Sequence, residues 1–266
     1  MDFKHEISNE CGHHIEKNGD SCLPNEIHEK IEESLDSIYI IKEKYNCDTE
    51  VCALNQPEVK KILGESIVDD IIENHFKPLG PRDNTNWFSN DDIDSVLSQI
   101  SLKYKDKHFL HIPFQMRDFQ TTNTELAKLH LPKKYKEGYR TFGTVFNTDT
   151  SRGSGEHWFA VFGCFEDASD EFTIEHFDSS GNLPSDEVQS WMKKVKYDWQ
   201  PHFDKPIKDV VTTRLINQQD NWNCGSYSLY YIISRLDGTP YQYFKNNKIG
   251  DHNMQEFRKF LFRKSM

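Results

Sequence analysis

The chain has 266 residues, 36% hydrophobic and 28% charged, with a formal net charge of -11. That length can bury a core in one large domain, or in a core domain with a smaller appendage. The acidic balance, without any Lys/Arg stripe, argues against nucleic acid as a partner, because a phosphate backbone would be repelled. The opening MDFKHEISNE lacks the apolar stretch of a secretory signal, and no apolar run reaches bilayer-spanning length, so no membrane insertion is expected. The six cysteines are therefore expected to be reduced, in a cytosol-like compartment.

Residues 1 to 22 read as polar and irregular. Pro24 opens an amphipathic helix, with Ile27, Ile31, Leu35 and Ile38 on one face. YNCDTEVC reads as a turn carrying Cys47 and Cys52. A shorter helix begins near Pro57, and Ser66 with Asp69 has the spacing of a capping box ahead of another. KPLGPRDNTN then breaks regular structure through Pro78, Gly80 and Pro81. A boundary is placed there, between a helical arm over residues 1–80 and a core over residues 81–266.

In the core, Ser89 or Asn90 caps a helix striped by Ile93, Val96, Leu97 and Ile100. Residues 108 to 116 read as a strand, and the Lys-rich stretch from 120 to 140 as exposed and mobile. TFGTVFNT is a strand, a Gly/Ser loop follows, and HWFAVFGCF with FTIEHFD makes a hairpin around an acidic turn. Val188, Trp191, Met192 and Val195 mark a helix, and VVTTRLI a strand. NWNCGSYSLYYIISRL is a helix too apolar to meet water, and DHNMQEFRKFLF is a last amphipathic one. No internal repeat is present.

Cys224 starts the apolar helix, where unpaired N–H groups and the positive dipole end favour thiolate; the plainer alternative is a small buried hydrophobe. His157 begins the first hairpin strand and Asp178 ends the second, so antiparallel pairing can bring their side chains together. A cysteine nucleophile needs such an imidazole to take its proton and such a carboxylate to orient the ring. Gln218, six residues before Cys224, could offer its amide to an oxyanion beside the Cys224 N–H. Trp158 would flank a narrow substrate slot. The alternatives for these two are a surface glutamine and a core tryptophan. Cys11, His13 or His14, Cys22, Cys47 and Cys52 could form a zinc site, although their spacing fits no standard pattern. No metal ligand or cofactor is assigned.

GEHWF, EHFDSSGN and Gln218-x5-Cys224-Gly225 resemble the Ulp1/SENP and adenovirus-protease group of cysteine proteases. Further blocks over nearly the whole chain, among them DSCLPNEI, GPRDNTN and TFGTVFNTDTSRGSGEHW, resemble the African swine fever virus polyprotein protease and its relatives in large cytoplasmic DNA viruses. The resemblance implies an α+β fold: a papain-like core with a central mixed or antiparallel sheet flanked by helices, and an N-terminal helical arm. It implies His157 as general base and then acid, Asp178 as orienting residue, Cys224 as nucleophile and Gln218 as oxyanion donor. Trp87, in WFSNDDID, resembles the Trp that with a second indole, here Trp158, clamps a Gly-Gly tail.

The implied function is a cysteine endopeptidase cutting after Gly-Gly in viral structural polyproteins during virion maturation, in the host cytoplasm and the virion. Its partner would be a polyprotein with Gly-Gly-X sites. One alternative is a deconjugating protease acting on SUMO or ubiquitin-like proteins with the same site. Another is a His-acid-Cys acetyltransferase, for which no basic ligand pocket is evident. A non-catalytic binding module is the third, and would be expected to have a broken triad.

Overall fold

In the computed structural model, which describes residues 10–212 and 214–263, the arm consists of five short helices. These are α1 (Asn25–Glu32), α2 (Ile38–Lys44), α3 (Glu50–Leu54), α4 (Pro57–Leu63) and α5 (Glu65–His75). They close around their own apolar cluster, with Ile31, Ile38, Leu54, Val59, Val68 and Phe76 at its centre. The single helix expected from Pro24 is two, because α1 closes on Ile31 and the chain restarts at an extended Ser37. That break lets Ile31, Ile38 and Ile41 all reach the cluster. The YNCDTEVC turn holds α3, capped by Thr49. The Ser66–Asp69 box does not form; α5 starts at Glu65, after Gly64 takes a positive φ of 92° that favours glycine. The first nine residues of the stretch read as irregular lie outside the described residues.

Four cysteines of the arm are paired, Cys11 with Cys22 and Cys47 with Cys52, which corrects the expectation of reduced thiols and leaves the zinc alternative without thiolate ligands there. Their α-carbons come within 5.1 and 5.5 Å, a closeness that chain packing creates and spacing in sequence does not reveal. Cys164 and Cys224 are free. The loop closed by the Cys11–Cys22 bridge docks the arm on the core. His13 N–H donates to Gln99 Oε1 (3.0 Å), Gln99 Nε2 donates to Phe76 O (2.8 Å), and the His13 ring reaches Leu261 O at 3.0 Å. Burial, then neighbouring Lys77, hold the His13 pKa down at about 3, so its neutral ring donates to that carbonyl.

The core is one sheet in chain order: β1 (Phe109–His111), β2 (Thr141–Asn147), β3 (Trp158–Cys164), β4 (Phe172–Phe177) and β5 (Ile207–Val211). β2, β3 and β4 form an antiparallel meander, with β1 parallel to β2 and β5 parallel to β4. The mixed α+β architecture expected from the resemblance is therefore present. Both parallel joins need a crossover, supplied after α6 (Asn90–Lys103) by the segment with α7 (Leu131–Lys136), and then by α8 (Asp186–Trp199). Helices cover both faces, so the three central strands are buried throughout and read as nearly continuous apolar runs. The remaining helices are α9 (Cys224–Leu236), α10 (Tyr241–Asn246), which the sequence reading missed, and α11 (Asp251–Leu261). α6, α9 and α11 share one apolar cluster with the sheet.

Two further expectations change. The Lys-rich stretch is not a free loop: Phe119, Leu126, Leu129 and Leu131 pack with α8 on the second face of the sheet. Its lysines stay at the surface and mask the apolar spacing beneath them. The strand expected at VVTTRLI lies earlier, over Ile207–Val211, and Thr213 is outside the described residues.

α9 is seated by a buried ion pair. Arg235 Nε and Nη2 each donate to Glu175 on β4 at 2.8 Å, and the Tyr231 hydroxyl donates to the same carboxylate. Glu175 is fully buried, so removing either charge strands the other in a dry interior. Glu175→Ala is expected to lower stability by roughly 3–5 kcal/mol, measured by urea denaturation.

Candidate active site

His157 sits just before β3 and Asp178 just after β4. Register pairs Ala160 with Phe177, so the start of one strand lies beside the end of the other. His157 Nε2 meets Asp178 Oδ1 at 2.8 Å. Asp178 is almost wholly buried and held on both oxygens, Oδ1 accepting from Ser180 N (2.8 Å) and Oδ2 from Asn182 Nδ2 (3.2 Å). A carboxylate at this distance only accepts, so Nε2 carries the proton and Nδ1 is left to exchange one with a thiol. Cys224, the first residue of α9, is that neighbour. Burial opposes charge on His157, but the hydrogen bond to Asp178 and the contact with Cys224 outweigh it and raise its pKa to about 10.

Cys224 is buried at a helix start where no side chain caps the first turn. A bare N-terminus of this kind leaves its first backbone N–H groups free to meet an anion. Gly225 is needed for the approach: a Cβ there would stand 2.6 Å from Phe88 Cδ2. His176, one strand residue from the pair, is a separate feature. Its ring packs 4.8 Å from Phe159, and burial lowers its pKa to about 4.

Gln218 is brought to the same corner. Its backbone N–H and that of Asn217 donate to Ser179 O (3.0 and 2.8 Å), next to Asp178. Its amide oxygen accepts from Ser179 Oγ (2.7 Å), and Nε2 donates to Asp220 Oδ1 (3.3 Å). Contrary to the surface alternative, it is only 7% exposed.

The two tryptophans part company. Trp87 is 43% exposed, whereas Trp158 is 2% exposed, in the core between sheet and α9. The expectation that Trp158 walls a slot is corrected: its indole N–H donates to Phe88 O (3.1 Å) and its ring meets Phe114 edge-on. It supports the segment that carries Trp87. Sequence reasoning missed Phe88, which touches Gly225 and accepts from Trp158, and Asp220, which gathers the N–H groups ahead of α9. No sequence signal singled out Asp220, because Asn223 stands directly before Cys224 as the more obvious cap, and only the structure shows that its side chain does not cap α9. Among the described residues, no three His, Cys, Asp or Glu side chains are arranged to hold a metal ion.

The C-terminal catalytic domain of the Ulp1 protease family matches residues 144–265. A cysteine protease of African swine fever virus, from a Malawian tick isolate, is 37% identical, covering 96% of this chain and 95% of its own length. A SUMO-1 cysteine protease of a Kenyan pig isolate of that virus is 36% identical with the same coverage. A crystal structure of the African swine fever virus protease superposes with a TM-score of 0.84 at 33% identity, covering 97% of this chain and 96% of that one.

The His157 shift has a sign that can be checked. Because its folded pKa of about 10 lies above the ordinary 6.5, protonation of His157 adds stability that is complete below about pH 6.5 and lost as the pH rises through about 10. NMR titration of the imidazole is expected to show this raised value. Asp178→Asn and Cys224→Ser should each bring it down.

Proposed function

The chain belongs to the Ulp1 family of cysteine proteases, and on that premise we propose that it is an endopeptidase cutting after Gly-Gly in viral structural polyproteins. The cuts accompany virion maturation, in the host cytoplasm and in the virion. The observation that carries the chemistry is the His157–Asp178 pair at 2.8 Å, with the start of α9 as its third member.

Cys224 Sγ attacks the carbonyl carbon of the second Gly while His157 Nδ1 holds the proton the thiol released. The tetrahedral oxyanion is met by the Cys224 backbone N–H and by Gln218 Nε2; one such donor is typically worth ~2.7–4 kcal/mol. The C–N bond then breaks, and His157 passes its proton to the leaving amine. Water, deprotonated by His157, hydrolyses the thioester and restores the thiol. Asp178 holds the ring throughout, through Nε2.

The Gly-Gly preference follows from Trp87. An exposed indole, one residue before the Phe88 that packs on Gly225, offers a flat face on which a side-chain-free backbone can lie in close contact. Trp158 and Phe88 behind it keep that face in place.

A deconjugating activity is the second reading, favoured by the similarity to a relative described as a SUMO-1 cysteine protease. One comparison separates the two: Gly-Gly-X peptides offered beside SUMO and ubiquitin fusions, with Cys224→Ala as control. The first reading expects peptide cleavage, with loss of all cleavage in Cys224→Ala while that variant remains folded. Cleavage confined to the fusions would favour deconjugation, and normal turnover by Cys224→Ala would end both readings. Trp87→Ala is expected to raise KM about tenfold, equivalent to ~1.4 kcal/mol of binding, with a smaller effect on kcat.

A further inference from the structure

We propose that Asp220 is the positioning residue that assembles the oxyanion hole, by choosing which end of the Gln218 amide faces the reacting carbonyl. The inference rests on the reading that Gln218 is an oxyanion donor. Asp220 Oδ1 accepts from Gln218 Nε2 (3.3 Å), Trp222 N (3.2 Å) and Asn223 N (3.0 Å), and Oδ2 accepts from Asn223 Nδ2 (2.6 Å). One carboxylate thus draws together both ends of the segment from Gln218 to Asn223, immediately ahead of Cys224.

The two ends of a glutamine amide have nearly the same shape but opposite hydrogen-bonding character. Ser179, the other partner of Gln218, has a hydroxyl that can donate or accept, so it has no power to select. A carboxylate only accepts. Asp220 therefore turns the amide nitrogen toward itself and the oxygen toward Ser179. It engages one of the two Nε2 hydrogens, and the second has no partner among the described residues. Were the amide to flip, it would present an oxygen to the developing oxyanion, and the donor would become a repulsion.

The same carboxylate fixes the second donor. By holding Trp222 N and Asn223 N it sets the turn that delivers the Cys224 N–H. Asp220 is itself held, since its own N–H and that of Gln219 donate to Asp251 Oδ2 (3.2 and 3.1 Å), and Tyr227 OH donates to Asp251 Oδ1 (2.8 Å). Its charge beside an oxyanion site is offset by the four N–H bonds it accepts.

The test compares Asp220→Ala, Asp220→Asn, Gln218→Ala and the Asp220→Ala/Gln218→Ala double variant. Peptide turnover is read alongside the pH profile of Cys224 alkylation by iodoacetamide. Alkylation uses the thiolate and forms no oxyanion, so it separates a fault in the hole from a fault in the nucleophile or the fold. Asp220→Ala is expected to lower kcat roughly tenfold to a hundredfold, less than the roughly hundredfold to thousandfold of a donor removed outright because the amide is freed to flip and not deleted, with KM and the alkylation profile unchanged. Asp220→Asn, which can still accept from Trp222 N and Asn223 N, should fall between Asp220→Ala and the parent. The double variant should lose less than the two single losses combined, because both changes remove the Gln218 donor and only the setting of the Cys224 N–H by Asp220 adds to it. Additive losses, or an alkylation profile that moves with kcat, would overturn the role of Asp220. A slow Gln218→Ala beside a fully active Asp220→Ala would overturn it too, while leaving the oxyanion reading intact. Full kcat in Gln218→Ala would instead sink that underlying reading.

Discussion

Beneath α9 the Arg235 guanidinium gives two hydrogen bonds to the Glu175 carboxylate, and the Tyr231 hydroxyl gives a third. Taking a carboxylate out of water is tolerable only with this much compensation, so the helix has one low-energy seat on β4 and slippage would strand a charge. The consequence is felt at the opposite end of α9, where Cys224 lies. β4 carries Glu175 and runs out at Phe177, with Asp178 as the next residue. The strand that seats the helix therefore also places the carboxylate that orients His157. Position along one rigid strand is converted into the spacing of Cys224, His157 and Asp178.

Phe88 plays the corresponding part at the Cys224 end of α9. Its ring leaves room at Gly225 for hydrogen alone, and its carbonyl accepts from Trp158. The Arg258 guanidinium stacks 4.3 Å over the same ring and donates to Asn86 O (2.6 Å). Burial lowers the Arg258 pKa to about 10, the mark of a cation placed for packing and carbonyl contacts. The segment bearing Trp87 is thus tied to α9 and α11 at once. The arm meets α6 and α11 through His13 and Gln99, which joins the arm to the Trp87 segment and to α9 through one continuous set of contacts.

Local chemistry was the part of the fold most easily read. Ser89 caps α6 in a full capping box with Asp92, and Pro57 opens α4, because both depend on neighbours within a few residues. The hairpin that brings His157 to Asp178 was equally legible, since two apolar runs around a short polar turn have one favoured pairing. Failures came where distant contacts override local pattern. The helix after Pro24 breaks so that both halves can face the arm's cluster. Residues 120 to 140 hide three core side chains, Leu126, Leu129 and Leu131, among lysines. Trp158 was read as a slot wall from its place beside His157, yet alternation along β3 turns it inward to α9.

From the sequence alone came the order His157, Asp178, Gln218 and Cys224, the placing of Cys224 at a helix start, and the resemblance to a protease family. Those are properties of spacing, periodicity and residue type, which the chain carries before it folds. Only the tertiary structure decided that Nε2 of His157 faces the carboxylate, that Trp87 alone of the two indoles is open, and that the arm's four cysteines are paired. It also turned the Gln218 amide, with its oxygen toward Ser179 and its nitrogen toward Asp220. Each of these depends on the approach of groups from separate elements, and on the strength of hydrogen bonds and charges once water has been excluded between them.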